Sequence, residues 1–348
     1  MRYLAIFAVT CLLASPVSGH HSDAGLDMDS LVTLRGTVTE FSWRNPHIYF
    51  TVETIDELGE PLEWAVQMSS TNTMLRIGWT RDSLVIGDRV EVRAHPSRDG
   101  RPYGLLNSIQ KEGGVVLPTA YSSDSADPIL SRPEVTPRSD SLEGIWMADG
   151  SELVSFPGGF DGFFRFQLEL TEKGAAAQAA YDEFSDENPE SSCVGRPTPA
   201  MIVSSNLYAI QIEIDEAEQI VWIRSEFWDE EREVYMDGRE HPAESESFPS
   251  GYSIGRWEGE TLVVDTRNFA DHRSPYQMGL PSGAQKHVVE RYRLNEDGTR
   301  MVVEFVLEDP EYIVEPLTHR RELIYSPHLD FHRFDCDPQV TRRFVPDQ

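Results

Sequence analysis

The feature that most limits what this chain can fold into is a long series of short, alternating apolar segments cut apart by turn signals. Alternation with period two puts every second side chain on one face, the pattern of a half-buried strand. Residues 34–43, 46–54 and 62–68 follow one another in this way, with Asn45-Pro46 and Leu58-Gly59 between them. A short helix is expected over 71–78, where the side-chain oxygen of Ser70 or Thr71 can accept the first free amides. Gly87-Asp88 and Asp99-Gly100 then lead into strands over 89–94 and 103–110. Three strands, a helix and two strands predict a small five-stranded Greek-key barrel of the OB type.

The second half is denser. Strands are expected over 164–170, 207–214, 219–225, 232–236, 260–266, 286–294, 301–307 and 319–325, with turns at Asp237-Gly238, Glu258-Gly259 and Asp297-Gly298. One helix is expected over 172–184, where Ala and Glu dominate. Strands at hairpin spacing imply an antiparallel sheet closing on itself as a barrel or sandwich, a lipocalin-like barrel being favoured. The stretch 118–140 is rich in Pro and Ser and poor in apolar residues, the composition of a linker. The expected organisation is therefore mainly β: an OB-like module over 20–117, a linker over 118–140, and a larger β module over 141–348.

The first 19 residues have the layout of a signal peptide. Arg2 precedes an apolar run from Leu4 to Ala14, and the small residues of 15–19 (SPVSG) offer a cleavage point after Gly19. The mature chain is then expected in the periplasm or outside the cell. No later stretch approaches the roughly 20 apolar residues of a membrane helix. With 59 acidic and 30 basic residues the formal charge is −29. Phosphate backbones are bound by Lys and Arg that release counterions, so nucleic acid is excluded as a partner. Of three cysteines, Cys11 leaves with the leader. Cys193 and Cys336 remain, and in an oxidising compartment they are expected to form a disulfide. Closing so long a loop is worth on the order of 4–5 kcal/mol in the chain-entropy model.

Two strings carry a resemblance. GTVTEFSWRNPH over 36–47, with HHS over 20–22, GWTRDSL over 78–84 and Gly87-Asp88, resembles an exported bacterial domain of unknown function across residues 20–115. SIGRWEGETLVVDT over 253–266, with VERY over 289–292 and EDP over 308–310, resembles a second uncharacterised secreted domain across 195–340. The resemblance implies an uncharacterised family of exported bacterial proteins and brings no activity with it.

The chemistry must come from the residues. Cleavage after Gly19 makes His20 the first residue, followed by His21. An N-terminal His offers its α-amine and ring Nδ1 to one metal, a chelate no internal His can form. With a further ring nitrogen the set suits Cu(II), which favours nitrogen in a tetragonal plane. His47 is the first choice for that donor and His95 the second, with Asp23 or Asp27 as an outer oxygen. Cleavage after Ser18 would instead give Gly19-His20-His21, which takes Cu(II) through backbone amides.

GYSIG over 251–255 matches the nucleophile-elbow string, but a hairpin follows where that motif needs a helix, so Ser253 is read as a strand residue. A late group, Asp265, Asp271, His272, His287, Glu290, Arg291, Asp309, Tyr312 and His319, offers acid and base partners at a barrel mouth. Of these His272, His287, Glu290 and Asp309 are the candidate ligand-binding set. The acidic stretch 182–190 lacks calcium-loop spacing, and no P-loop, dinucleotide fingerprint or His-Glu-x-x-His occurs. The residues favour an exported binding protein for a metal, with copper expected, or for a small molecule. The alternatives are an enzyme with its acid/base site in the second barrel, or an envelope interaction module. No protein partner is indicated.

Overall fold

The computed structural model describes residues 26–117, 119, 136–148, 159–182, 185–276 and 279–341. The expected leader over 1–19, His20, His21, Asp23 and linker residues 120–135 lie outside the described residues.

The first module is built from β1 (Val32–Ser42), β2 (Tyr49–Ile55), β3 (Pro61–Gln67), α1 (Thr71–Arg76), β4 (Arg89–Pro96) and β5 (Tyr103–Lys111), with a short β6 (Val116–Leu117). The sheet order is β3-β2-β1-β4-β5-β6, and β3 also pairs with β5 in parallel, which closes a five-stranded barrel. Alternation decides what is inside. Val38, Phe50, Val52, Val66, Val92, Ala94, Leu106 and Ile109 belong to one buried apolar cluster that fills the barrel. Gly36 has a specific duty: a Cβ there would land on the Glu53 carbonyl, so only glycine lets β1 approach β2 this closely. Ser70 starts α1 as expected, its hydroxyl accepting the Thr73 amide at 3.3 Å.

The second module follows with β7 (Gly144–Ala148), α2 (Gly159–Gln167), α3 (Glu172–Ala179), α4 (Ala200–Val203), β8 (Ile210–Asp215), β9 (Ile220–Ser225) and β10 (Glu231–Tyr235). Then come β11 (Tyr252–Glu258), β12 (Thr261–Arg267), β13 (His287–Leu294), β14 (Arg300–Glu308), β15 (Leu317–Tyr325) and α5 (Pro338–Thr341). Strands β7 to β15 close a nine-stranded barrel. It departs from the eight antiparallel strands of a lipocalin, because β10 and β11 pair in parallel. A parallel pair cannot be joined by a hairpin, and residues 236–251 supply the crossover.

One expected strand is a helix. The apolar residues of 164–170 alternate, yet adjacent Phe163 and Phe164 are both buried while Phe166 is 57 % exposed. A strand sends neighbours to opposite faces; a helix can turn two consecutive residues into the core. In α2 they do so, Phe163 against His319 and Phe164 against Tyr276, with ring centroids 4.7 and 5.7 Å apart. Of the helix expected over 172–184 the first part is present as α3, ending at Ala179, and it is started by the Thr171 hydroxyl, which accepts the Gly174 amide at 3.1 Å.

After β15 the chain runs back as a strap between the two barrels. Its Leu329 packs on the first core, as does Met147 of β7. Cys336 is disulfide-bonded to Cys193, as expected, with Cα atoms 5.9 Å apart.

Candidate functional site

Four places in the fold gather chemistry-bearing side chains, and His47 is the first. It lies just before β2, half-buried, with Nδ1 3.3 Å from the Met68 carbonyl oxygen and 3.5 Å from the Gln67 amide nitrogen. Desolvation pushes its pKa down to about 4, against the opposing pull of the Met68 carbonyl. The ring is therefore neutral at pH 7. If Nδ1 carries the proton, donated to Met68, the Nε2 lone pair is the metal-binding one. The ring stands edge-on to Tyr49 at 6.4 Å.

Tyr49 pairs across strands with Gln67, Gln67 with Leu105, and Leu105 with His95, so all four share one outer face of the barrel. The start of the described chain seals that face. Leu26 packs on Tyr49, Tyr103 and Leu105 and bridges to Ser97, and the Asp27 amide donates to the Pro96 carbonyl at 2.8 Å. His95 is engaged there, Nδ1 3.0 Å from the Ser30 carbonyl and Nε2 3.5 Å from Asn107. The Asp27 carboxylate is exposed and accepts the Ser30 hydroxyl at 2.7 Å. Among the described residues no three His, Cys, Asp or Glu groups converge on a metal position.

The interior of the nine-stranded barrel is the second place, and it divides the candidate ligand-binding set. Val288, Glu290 and Tyr292 alternate inward along β13 and are fully buried, so Glu290 lies inside the barrel. Arg232 of β10 meets it in a bidentate pair at 2.9 and 3.1 Å and reaches Tyr292 at 3.3 Å and Thr266 at 3.4 Å. The Thr198 hydroxyl also donates to Glu290. At the rim, Asp309 accepts the Tyr276 hydroxyl at 2.9 Å and the Gly283 amide at 3.0 Å. Burial raises the Asp309 pKa. His272 bridges loop backbone, Nε2 to the Gly195 carbonyl at 2.9 Å and Nδ1 from the Ser274 amide at 3.1 Å. Desolvation holds it neutral, with a pKa of about 4.

His287 stands on the opposite side of the same strand, on the outer surface. Its Nε2 is 3.1 Å from Asp265 and its Nδ1 3.1 Å from Glu308. A carboxylate faces each nitrogen, and hydrogen bonding to Asp265 raises the ring's pKa. The same Asp265 oxygen also meets His241 at 2.9 Å and Arg267 at 3.2 Å. Burial works to raise the Asp265 pKa, but His287 and Arg267 outweigh it and hold the carboxyl far below its ordinary range. The remaining members of the group are dispersed. Arg291 pairs with Glu258 outside, Lys173 lies over the Tyr312 ring, Asp271 is exposed, and His319 is wedged between Phe163 and Phe305.

The fourth place is the joint between the barrels, which sequence reasoning missed. Arg76 of α1 and Glu226 of the second module form an ion pair with side chains 4 % and 0 % exposed. Arg76 also donates to the Leu207 carbonyl at 3.1 Å, and Glu226 accepts amides from Ala209 at 3.0 Å and His332 at 2.7 Å. Asn45 and Asn72 donate to strap carbonyls at Phe334 and His332, and Arg44 pairs with Asp337 at 2.7 Å. The RNPH string that drew attention for its His thus spends its first two residues on the joint. A cleft of about 730 Å³ beside it is lined by Trp43, Arg44, Leu75, Arg81, His332 and Asp337 among others.

Residues 8–107 match the model of a family described as a family of unknown function (DUF6152). Comparison with curated proteins and with solved structures finds no match.

Proposed function

We propose that this chain is an exported binding protein, periplasmic or secreted, whose mature N-terminal His20 holds Cu(II) together with His21 and His47. The proposal includes a leader over 1–19, the module boundaries 20–117 and 141–348, and a second secreted domain resembled by the later strings. The observation that carries it is the setting of His47. Its Nδ1 rests on a backbone carbonyl and its ring is neutral at pH 7, the state in which imidazole ligates metal. It also lies on the barrel face to which the chain just after His20 and His21 is fastened through Leu26 and Asp27. The residues between His20 and Leu26 reach at most about 20 Å when extended, so a fold-back toward His47 is within the chain's length. The disulfide between Cys193 and Cys336 supports an oxidising compartment. Among the described residues no helix is long and apolar enough to cross a membrane.

The test is Cu(II) titration of protein whose intact mass confirms a His20 N-terminus. We expect submicromolar binding that is lost both in His47→Ala and in a variant carrying one extra residue before His20. Weak binding indifferent to both changes overturns the metal proposal.

A further inference from the structure

We propose that the rim of the nine-stranded barrel between β10 and β13 binds a small carboxylate, held by Lys286 and Arg232 with Glu230 against its second oxygen. The inference is independent of the metal site. It starts from a mismatch between burial and bonding. Lys286 is 2 % exposed, and its Nζ has no hydrogen-bond partner. The ammonium is lodged over two aromatic faces, 4.1 Å from the Phe269 ring and 5.0 Å from the Tyr276 ring. Cation–π contact steadies a charge but fills none of its three N–H donors. Two more buried atoms nearby are also unpartnered, Arg232 Nε and Glu230 Oε1. Buried polar atoms are nearly always paired in folded proteins, so a cluster left open is a place where water or a ligand can be held.

The three belong to one neighbourhood. Glu230 immediately precedes β10 and Arg232 is its second residue, and Arg232 reaches Thr266 of β12 at 3.4 Å. Three residues past Thr266, Phe269 supplies the ring over Lys286. Lys286 in turn feels the charges of Asp309, Glu230, Arg232 and Glu290.

The open valences select the ligand class. Arg232 spends its Nη atoms on Glu290, Thr266 and Tyr292, which leaves its Nε–H as an open donor in addition to those of Lys286. A cation is repelled by the ammonium, and a lone hydroxyl fills one donor poorly. A carboxylate accepts from both cations with its two oxygens, and a protonated Glu230 donates to it as well. The other titratable groups facing the place are engaged. Asp309 accepts from Tyr276 and Gly283, Glu290 from Arg232 and Thr198, and His272 is held neutral between backbone groups.

Protonation then sets the sign of the pH dependence. Burial lowers the Lys286 pKa to about 7 and raises that of Glu230 to about 7. Below that value Lys286 is charged and Glu230 is a donor; above it the amine is neutral and Glu230 repels an anion. Binding therefore strengthens on acidification, down to the point where the ligand itself takes up a proton.

The experiment is titration of the full chain with carbon-13-labelled acetate and with butyrate near pH 6 and near pH 8, followed by NMR and calorimetry. We expect saturable binding at least tenfold tighter at the lower pH. Lys286→Met should lose it at least tenfold, while the surface variant Lys173→Met keeps it. Glu230→Gln should still bind but with the pH dependence flattened. Because Lys286→Met alters a buried position, the Lys286 side-chain amine signal of the unmodified protein gives a second readout and should shift on adding acetate. No saturable binding at tens of millimolar, or equal binding by wild type and Lys286→Met, overturns the proposal and leaves ordered water as the occupant.

Discussion

The two barrels solve the same closure problem with opposite interiors. The five-stranded one is filled by an apolar cluster, whereas the nine-stranded one runs an Arg232–Glu290–Tyr292 network through its middle and a lysine at its rim. The difference follows from size. A barrel's diameter grows with its strand number, so a wider one must fill more volume or enclose something. An ion pair in that space gains Coulomb energy in a low dielectric but also carries a large desolvation cost. An apolar filling of equal volume is often neutral or stabilising by comparison, so the pair is weak evidence that this interior is the more stable of the two.

Removing one partner should break the comparison most sharply. Glu290→Leu leaves Arg232 buried without its carboxylate and should cost about 3–5 kcal/mol in denaturant unfolding, whereas Arg232→Met with Glu290→Leu should come close to wild type. If the double variant is as unstable as the single one, the pair itself is a stabilising element of the second barrel. A milder exchange sharpens the contrast. Val52→Thr puts a hydroxyl into the apolar barrel and should cost about 1–3 kcal/mol. Its reverse in the second barrel, Thr266→Val, removes the partner of Ser253 and Arg232 and should cost about 1 kcal/mol.

The smallest effect is expected on the outer face. The His287 pKa is raised in the folded chain, so its contribution is complete below the unfolded value of about 6.5 and fades as pH climbs through the folded one. Asp265, held low, contributes above about 3.9 and loses this as pH falls through its folded value. The pair is thus worth most between those limits. His287→Gln should cost about 1 kcal/mol near pH 6 and less near pH 8, as thermal melts at the two pH values would register. Equal losses at both would show that His287 packs rather than pairs.

Strand positions were legible because the barrels are built on alternation, and alternation is written residue by residue. The same code places Glu290 inward with Val288 and Tyr292, and His287 outward, once a single register is followed along β13. It fails at 164–170, where a two-residue rhythm occurs by chance and the burial of Phe163 beside Phe164 needs contacts with β15 and Tyr276 that lie far off in the chain. The joint was illegible for a related reason. Arg76 and Glu226 look like surface charges on their own elements, and only the docking of two modules makes them a buried pair. Lys286 was hidden in the same way: nothing in the string QKHVV marks its lysine as enclosed by Phe269 and Tyr276. The disulfide was the exception, since with Cys11 set aside in the expected leader two cysteines admit a single intramolecular pairing.

The strap has a consequence for the order in which the molecule comes together. Its contacts with Asn45, Asn72, Glu226 and Asp229 are made by residues that follow β15, after every strand of both barrels has been synthesised. Cys336, in the same segment, waits equally long for Cys193. A chain emerging from its N-terminus can close each barrel in turn from contacts already available, but it cannot complete the joint until its final stretch arrives. The strap contacts are therefore the last of the joint to become available, and His332 and Asp337 join the lining of the cleft beside it only then.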